Sequence, residues 1–213
     1  MNETVDSLFP SEFSDFDRIK AEVAEFWDLS AGVPAAHGFP FNSARGVVRA
    51  GSGFEQPFVD PAFGSIVEAL VAKFEDEWVS AVVVTPSPEA FRLITGGYPG
   101  FSLAAEGVSK TWEDAVGSPF DGDEVSALVH RADTLAVVGS SREWGAWMDR
   151  DWELGLIASY RLVTVDFTGA DIDLYPIVAA FENFADPPAS LPSDDLWRTV
   201  SREFRDVAPL HED

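Results

Sequence analysis

Apolar residues alternate most densely over residues 134–167 (TLAVVGSSREWGAWMDRDWELGLIASYRLVTVDF), and this stretch constrains the fold more than any other. Leu135 to Val138 is a short apolar run closed by Gly139-Ser140-Ser141, as expected of a buried strand. Trp144–Met148 and Trp152–Ala158 follow, separated by Asp149-Arg150-Asp151. A slip of one residue in a strand pair turns every side chain to the opposite face, so the pattern argues a register. A three-residue loop sets Met148 opposite Trp152, Ala146 opposite Leu154 and Trp144 opposite Leu156, which makes one face wholly apolar. A two-residue loop mixes polar and apolar residues on both faces. The longer loop is therefore expected, with Asp151 in the left-handed conformation that Asp tolerates.

In that register the second face sets Trp147 opposite Glu153 and Gly145 opposite Gly155. An indole beside a carboxylate, over two positions without side chains, leaves room for something to approach. Either a partner or ligand uses this shelf, or a helix packs there and the glycines admit it. Helix-on-sheet layering is the ordinary solution and favours the second reading. Tyr160–Phe167 alternates again, so residues 134–167 are expected to form an antiparallel meander of about four strands. The fold class that follows is α+β. One domain over residues 1–213 is expected, its sheet covered by amphipathic helices and its ends loose over about 1–12 and 209–213.

The helices are legible from apolar spacing. Phe16, Ile19, Val23, Phe26 and Trp27 predict one capped by Ser14 and ended by Gly32 and Pro34. Asp60-Pro61 opens a second, with Phe63, Ile66, Val67, Leu70, Val71, Phe74 and Trp78 on one stripe. Val79–Thr85 reads as an interior strand. Ser87-Pro88-Glu89 caps a short helix through Ile94, and a turn at 96–100 leads to a strand over Phe101–Ala105. Further helices are expected around Trp112, over Val125–Val129, from Pro176, and after Ser193 beyond a proline-rich connector at 186–192. Ala44–Ala50 is expected as an edge strand, because it carries Arg45 and Arg49.

Charge bears on partners. The chain of 213 residues holds 37 Asp and Glu against 14 Lys and Arg, a net charge of −23. That exterior repels phosphates and anionic lipid, so neither nucleic acid nor membrane is an expected partner. A basic protein is. The acidic residues are dispersed, without a run of five or six, so solubility or adaptation to high salt accounts for them as well. There is no cysteine, which excludes disulfides and thiolate chemistry. No signal-like apolar run or membrane-spanning window is present, so a cytoplasmic protein is expected.

No motif carries a catalytic signature. Gly139-Ser140-Ser141-Arg142 lacks the second glycine of a nucleophile elbow. His37, His130 and His211 are far apart, Asp121-Gly122-Asp123-Glu124 lacks calcium-loop spacing, and no metal or cofactor is expected. Asp149 with Asp151, Asp171 with Asp173 and Asp194 with Asp195 are carboxylate pairs of the kind a chain this acidic produces by chance.

Trp147, Arg150, Glu153, Asp149 and Asp151 around the hairpin tip are the candidate partner-binding residues, since Trp and Arg commonly anchor interfaces. The segment 144–153 (WGAWMDRDWE) resembles a motif of uncharacterised bacterial proteins. Some small acidic proteins of that kind are immunity factors, and the resemblance implies a binding role without assigning a family. The leading expectation is an acidic binding protein of immunity or inhibitor type that engages a basic partner. The alternatives are an enzyme with a carboxylate-based pocket, which requires a carboxyl with raised pKa, and a salt-adapted domain without a partner.

Overall fold

Val79–Val83 and Leu135–Val138 place apolar or small residues on both alternating sets, and such strands need cover on both sides. The computed structural model provides it. It describes residues 9–10, 12–30, 49–51, 61–119, 125, 127–150, 154–160, 165 and 174–176. The elements in chain order are α1 (Phe13–Ala24), β1 (Arg49–Gly51), α2 (Pro61–Phe74), β2 (Trp78–Thr85), α3 (Pro88–Thr95) and β3 (Gly100–Ala104). They continue with α4 (Val108–Gly117), α5 (Leu128–Arg131), β4 (Thr134–Gly139), β5 (Trp144–Asp149), β6 (Leu154–Ser159) and β7 (Leu174–Pro176).

Among the described residues these strands form one sheet in the order β3-β2-β4-β5-β6-β1-β7, with every neighbouring pair antiparallel. The fold is α+β, and β4-β5-β6 is the expected meander. Its proposed fourth strand, Tyr160–Phe167, lies largely outside the described residues, and Val165 within it is buried but not in a strand.

Alternation divides the sheet between two layers. Val79, Ala81 and Val83 of β2, Leu135 and Val137 of β4, Trp144, Ala146 and Met148 of β5, and Ile157 of β6 join the core formed with α2 and α4. The intervening residues, among them Val82, Ala136, Val138, Trp147, Leu156 and Ala158, are also buried. Over that second face lies α1, with Phe16, Ile19 and Val23 buried at helical spacing. The chain therefore builds three layers, and β5 is buried on both sides.

This two-sided burial overturns the expected hairpin register. Met148 pairs with Gly155, Trp147 with Leu156, Ala146 with Ile157 and Asp149 with Leu154, so residues 150–153 make the connection. The three-residue loop is the one that collects apolar residues on one face. When helices cover both faces that criterion loses its force, and the pairing instead sets bulky residues beside small ones, Met148 against Gly155 and Gly145 against Ala158.

Other differences have local causes. Glu12, not Ser14, occupies the α1 N-cap position and makes no side-chain cap bond. The helix stops at Ala24, so Phe26 and Trp27 lie beyond it, where the chain turns and inserts both rings under the sheet. Helix α2 ends at Phe74 because Glu75 takes a positive φ of 56°, which sends Trp78 to the start of β2. Strand β1 lies between β6 and β7, not at an edge. Pro176 closes β7, and the helix expected to follow it lies outside the described residues. The helix expected over Val125–Val129 shortens to α5, leaving Val125 outside it and exposed. Helix α3 follows expectation: Ser87 Oγ accepts from Ala90 N at 3.3 Å, Pro88 takes the first turn, and Gly96 closes it at φ 78°. Ser14's presumed partner signals Gly32 and Pro34, the loop with His37, the calcium-like run 121–124, His211, and the connector and final helix after residue 185 lie outside the described residues.

Candidate functional site

The shelf beside Trp147 is filled by the chain itself. Trp147 is 1% exposed and meets Trp27 edge-to-face with ring centroids 5.6 Å apart. Trp27 donates its indole N–H to Val137 O at 3.0 Å, and Phe26 meets Tyr160 edge-on at 5.0 Å. At Gly145 a methyl group would stand 2.6 Å from Trp27 Nε1 and 2.7 Å from Phe26 Cδ1. The glycine thus admits the aromatic pair that follows α1, which is the packing reading of this face. The position that paired Trp147 with Glu153 is taken by Leu156. Trp147 is a core residue and not the exposed anchor expected at the hairpin tip.

Arg150 and Asp149 remain partly exposed, and both are engaged. Arg150 forms an ion pair with Asp133 and donates to Val129 O at 3.2 Å, while its backbone N–H donates to Asp133 O at 2.7 Å. Thr134 Oγ1 donates to Asp149 Oδ2 at 3.0 Å. These bonds tie the hairpin tip to the junction of α5 and β4. Asp151 and Glu153 lie outside the described residues.

Two polar clusters sit at the other end of the hairpin. Asp76, 7% exposed, accepts from Trp144 Nε1 at 2.6 Å through one oxygen. Through the other it accepts from Ser140 Oγ at 3.2 Å and Ser141 N at 2.5 Å. Ser140 and Ser141 are thus turn residues held by a buried carboxylate. On the opposite face Glu22 accepts from Ser80 Oγ at 2.7 Å and Trp78 Nε1 at 3.3 Å, and pairs with Arg18 and Arg142. Arg142 also reaches Glu25 at 3.1 Å and Gly139 O at 3.1 Å. Both clusters join distant segments and present no free nucleophile.

A concave feature absent from the sequence reading lies between the start of α1 and α3. Phe13, Pro88, Glu89, Arg92, Leu93, Gly96 and Tyr98 line a groove of about 520 Å³. Tyr98 forms its floor, 7% exposed and stacked on Phe16 at 5.4 Å, with Phe13 tilted against it at 5.7 Å. Leu93 is 89% exposed and Phe13 55%. The Arg92 guanidinium rests 4.4 Å from the Tyr98 ring centre. Glu89 is held below the ordinary carboxylate range, first by a hydrogen bond from its own backbone N–H, then by Ser87, with Lys20 adding a charge contribution against slight desolvation. A general acid would need the opposite shift. The sequence signals were slight: Phe13 preceded the presumed cap, and Leu93 sat on a helix too short to show a polar face.

Comparison with protein-family models, curated proteins and solved structures finds no match.

Proposed function

We propose that this chain is an acidic protein-binding domain of immunity or inhibitor type, acting in the cytoplasm on a basic partner. The observation that supports it is how the cations are used. Of the five arginines with described side chains, Arg18, Arg142 and Arg150 are paired with carboxylates and Arg131 donates to Val125 O at 2.7 Å. Each of these three ion pairs takes one carboxylate with its cation, so the unpaired carboxylates carry the surplus negative charge. Glu12, Asp15 and Asp17 on α1, Glu68, Glu75 and Glu77 near the end of α2, and Glu106, Glu113 and Asp114 around α4 are all exposed. Carboxylates dispersed along the chain are thus exposed on these helices and the turns beside them, where they outnumber the exposed Arg18, Lys73 and Lys110. A surface of that sign accelerates encounter with a cationic protein and rejects anionic ones.

The buried Trp147 moves the contact region away from the hairpin tip and towards the helical layers. Helix α1 is the strongest candidate, since its first turns combine exposed carboxylates with exposed Phe13. Affinity capture from the native host at low and high salt tests the proposal. A basic protein retained at low salt and released at high salt is expected, and Asp15→Lys with Asp17→Lys should abolish its retention. Retention indifferent to salt and to both reversals would defeat the proposal. No described helix is long and apolar enough to cross a membrane.

A further inference from the structure

Arg92 departs from the other described arginines. It makes no ion pair and no side-chain hydrogen bond among the described residues, and its planar fork lies against Tyr98. Carboxylates are plentiful in this chain, yet none has claimed it. Its neighbour one turn earlier, Glu89, bonds to its own N–H and to Ser87. An unneutralised guanidinium, held in place on a ring at the mouth of an apolar groove, is prepared for a carboxylate in the two-pronged geometry that arginine favours. The groove beside it, floored by Tyr98 and walled by Phe13, Pro88 and Leu93, accepts an apolar body. Its volume lies within the range of ligand sites, roughly 300–1,000 Å³.

The net charge decides which carboxylate. A free organic anion approaches a chain of charge −23 against repulsion. A carboxylate at the end of a cationic segment does not, because the residues before it meet Glu12, Asp15 and Asp17 on α1, all exposed. We infer that the groove between α1 and α3 receives the C-terminus of a basic partner chain, with its α-carboxylate on Arg92 and its last, apolar side chain against Tyr98 and Leu93. This rests on the proposed function and specifies the partner's contact.

The full chain is titrated, by fluorescence anisotropy, into a labelled lysine-rich peptide ending in leucine, prepared as the free acid and as the C-terminal amide. The free acid should bind at least about tenfold more tightly, the contribution of a charge-assisted pair. Arg92→Met should remove that difference and leave the amide's affinity unchanged; Leu93→Ser should weaken both peptides. Arg92 is exposed, and circular dichroism of the variant checks that the fold is kept. Equal affinity for acid and amide, or a preference that survives Arg92→Met, overturns the inference. If both forms then bind equally and release in salt, the basic-partner reading stands without it. Absence of binding by either peptide overturns the inference as well. Equal binding of a lysine-free peptide ending in leucine carboxylate overturns its cationic occupant.

Discussion

Asp76→Asn tests whether the knot at the β4–β5 turn stabilises the fold through its carboxylate. The carboxylate accepts on both sides at once: Trp144 Nε1 at one oxygen, Ser140 Oγ and Ser141 N at the other. An asparagine has one oxygen. Whichever way its amide turns, an NH₂ group faces a donor, either the Trp144 indole or the Ser141 backbone N–H. Trp144 is fully buried, so no solvent replaces the lost acceptor. A buried donor left unpaired costs about 1–3 kcal/mol, and the substitution should destabilise by about that amount. Asp76→Ala leaves the buried Trp144 indole N–H without an acceptor and frees the turn, and should cost at least as much. Gly139 leaves the site no room to adjust, since a methyl group there would overlap both Trp144 Nε1 and the Asp76 carboxylate. Urea unfolding followed by tryptophan fluorescence measures the loss, and the Trp144 indole proton should exchange faster by NMR. An asparagine variant within about 0.5 kcal/mol of the parent would refute the reasoning.

Gly145→Ala should cost about 1–3 kcal/mol by forcing Phe26 and Trp27 outward, read as a lowered urea midpoint; an unchanged midpoint would show that the pair moves aside freely. Glu89, its carboxyl lowered by bonds made only in the folded helix, should titrate by NMR below the ordinary glutamate value. Its contribution to α3 is then present above the unfolded pKa and lost as pH falls through the folded one; titration at or above the ordinary value would contradict the cap geometry. Tyr160 is raised by burial, so its fold contribution should fall as pH climbs past the ordinary phenol value, and ultraviolet titration should find it deprotonating later than free tyrosine. In low salt the chain should stay folded by circular dichroism, whereas unfolding there would favour salt adaptation over a partner.

The elements were legible where one residue pattern had one structural solution. Ser87-Pro88 before an apolar run and Gly96 after it define α3 through caps that act locally. Phe63 to Val71 define α2 by a stripe too long for a strand. The hairpin register was not legible, because alternation encodes only that two faces differ. Once α1 lies on one face and α2 with α4 on the other, Trp144 and Trp147 are equally buried, and the pattern no longer distinguishes inside from outside. What selects the pairing is fit between neighbours, Met148 beside Gly155 within the hairpin and Trp27 over Gly145, and the second contact joins residues far apart in sequence.

The same limit governs the candidate site. Trp147 looks available in the sequence because its expected neighbour is Glu153, yet the ring that covers it, Trp27, belongs to a predicted helix that ends three residues earlier. Conversely, Phe13, Leu93 and Tyr98 carried no shared pattern, and only the approach of α1 to α3 brings them together. Charge behaves likewise. The sequence counts an excess of carboxylates but does not say which cations are already committed. Arg18 is committed four residues away, to Glu22, a pairing that helical spacing could have anticipated. Arg142 and Arg150 are committed to Glu25 and Asp133, which only the sheet brings near. A basic partner therefore meets the carboxylates that these pairings leave over. Among the described residues it also meets Arg92, a guanidinium without an ion pair.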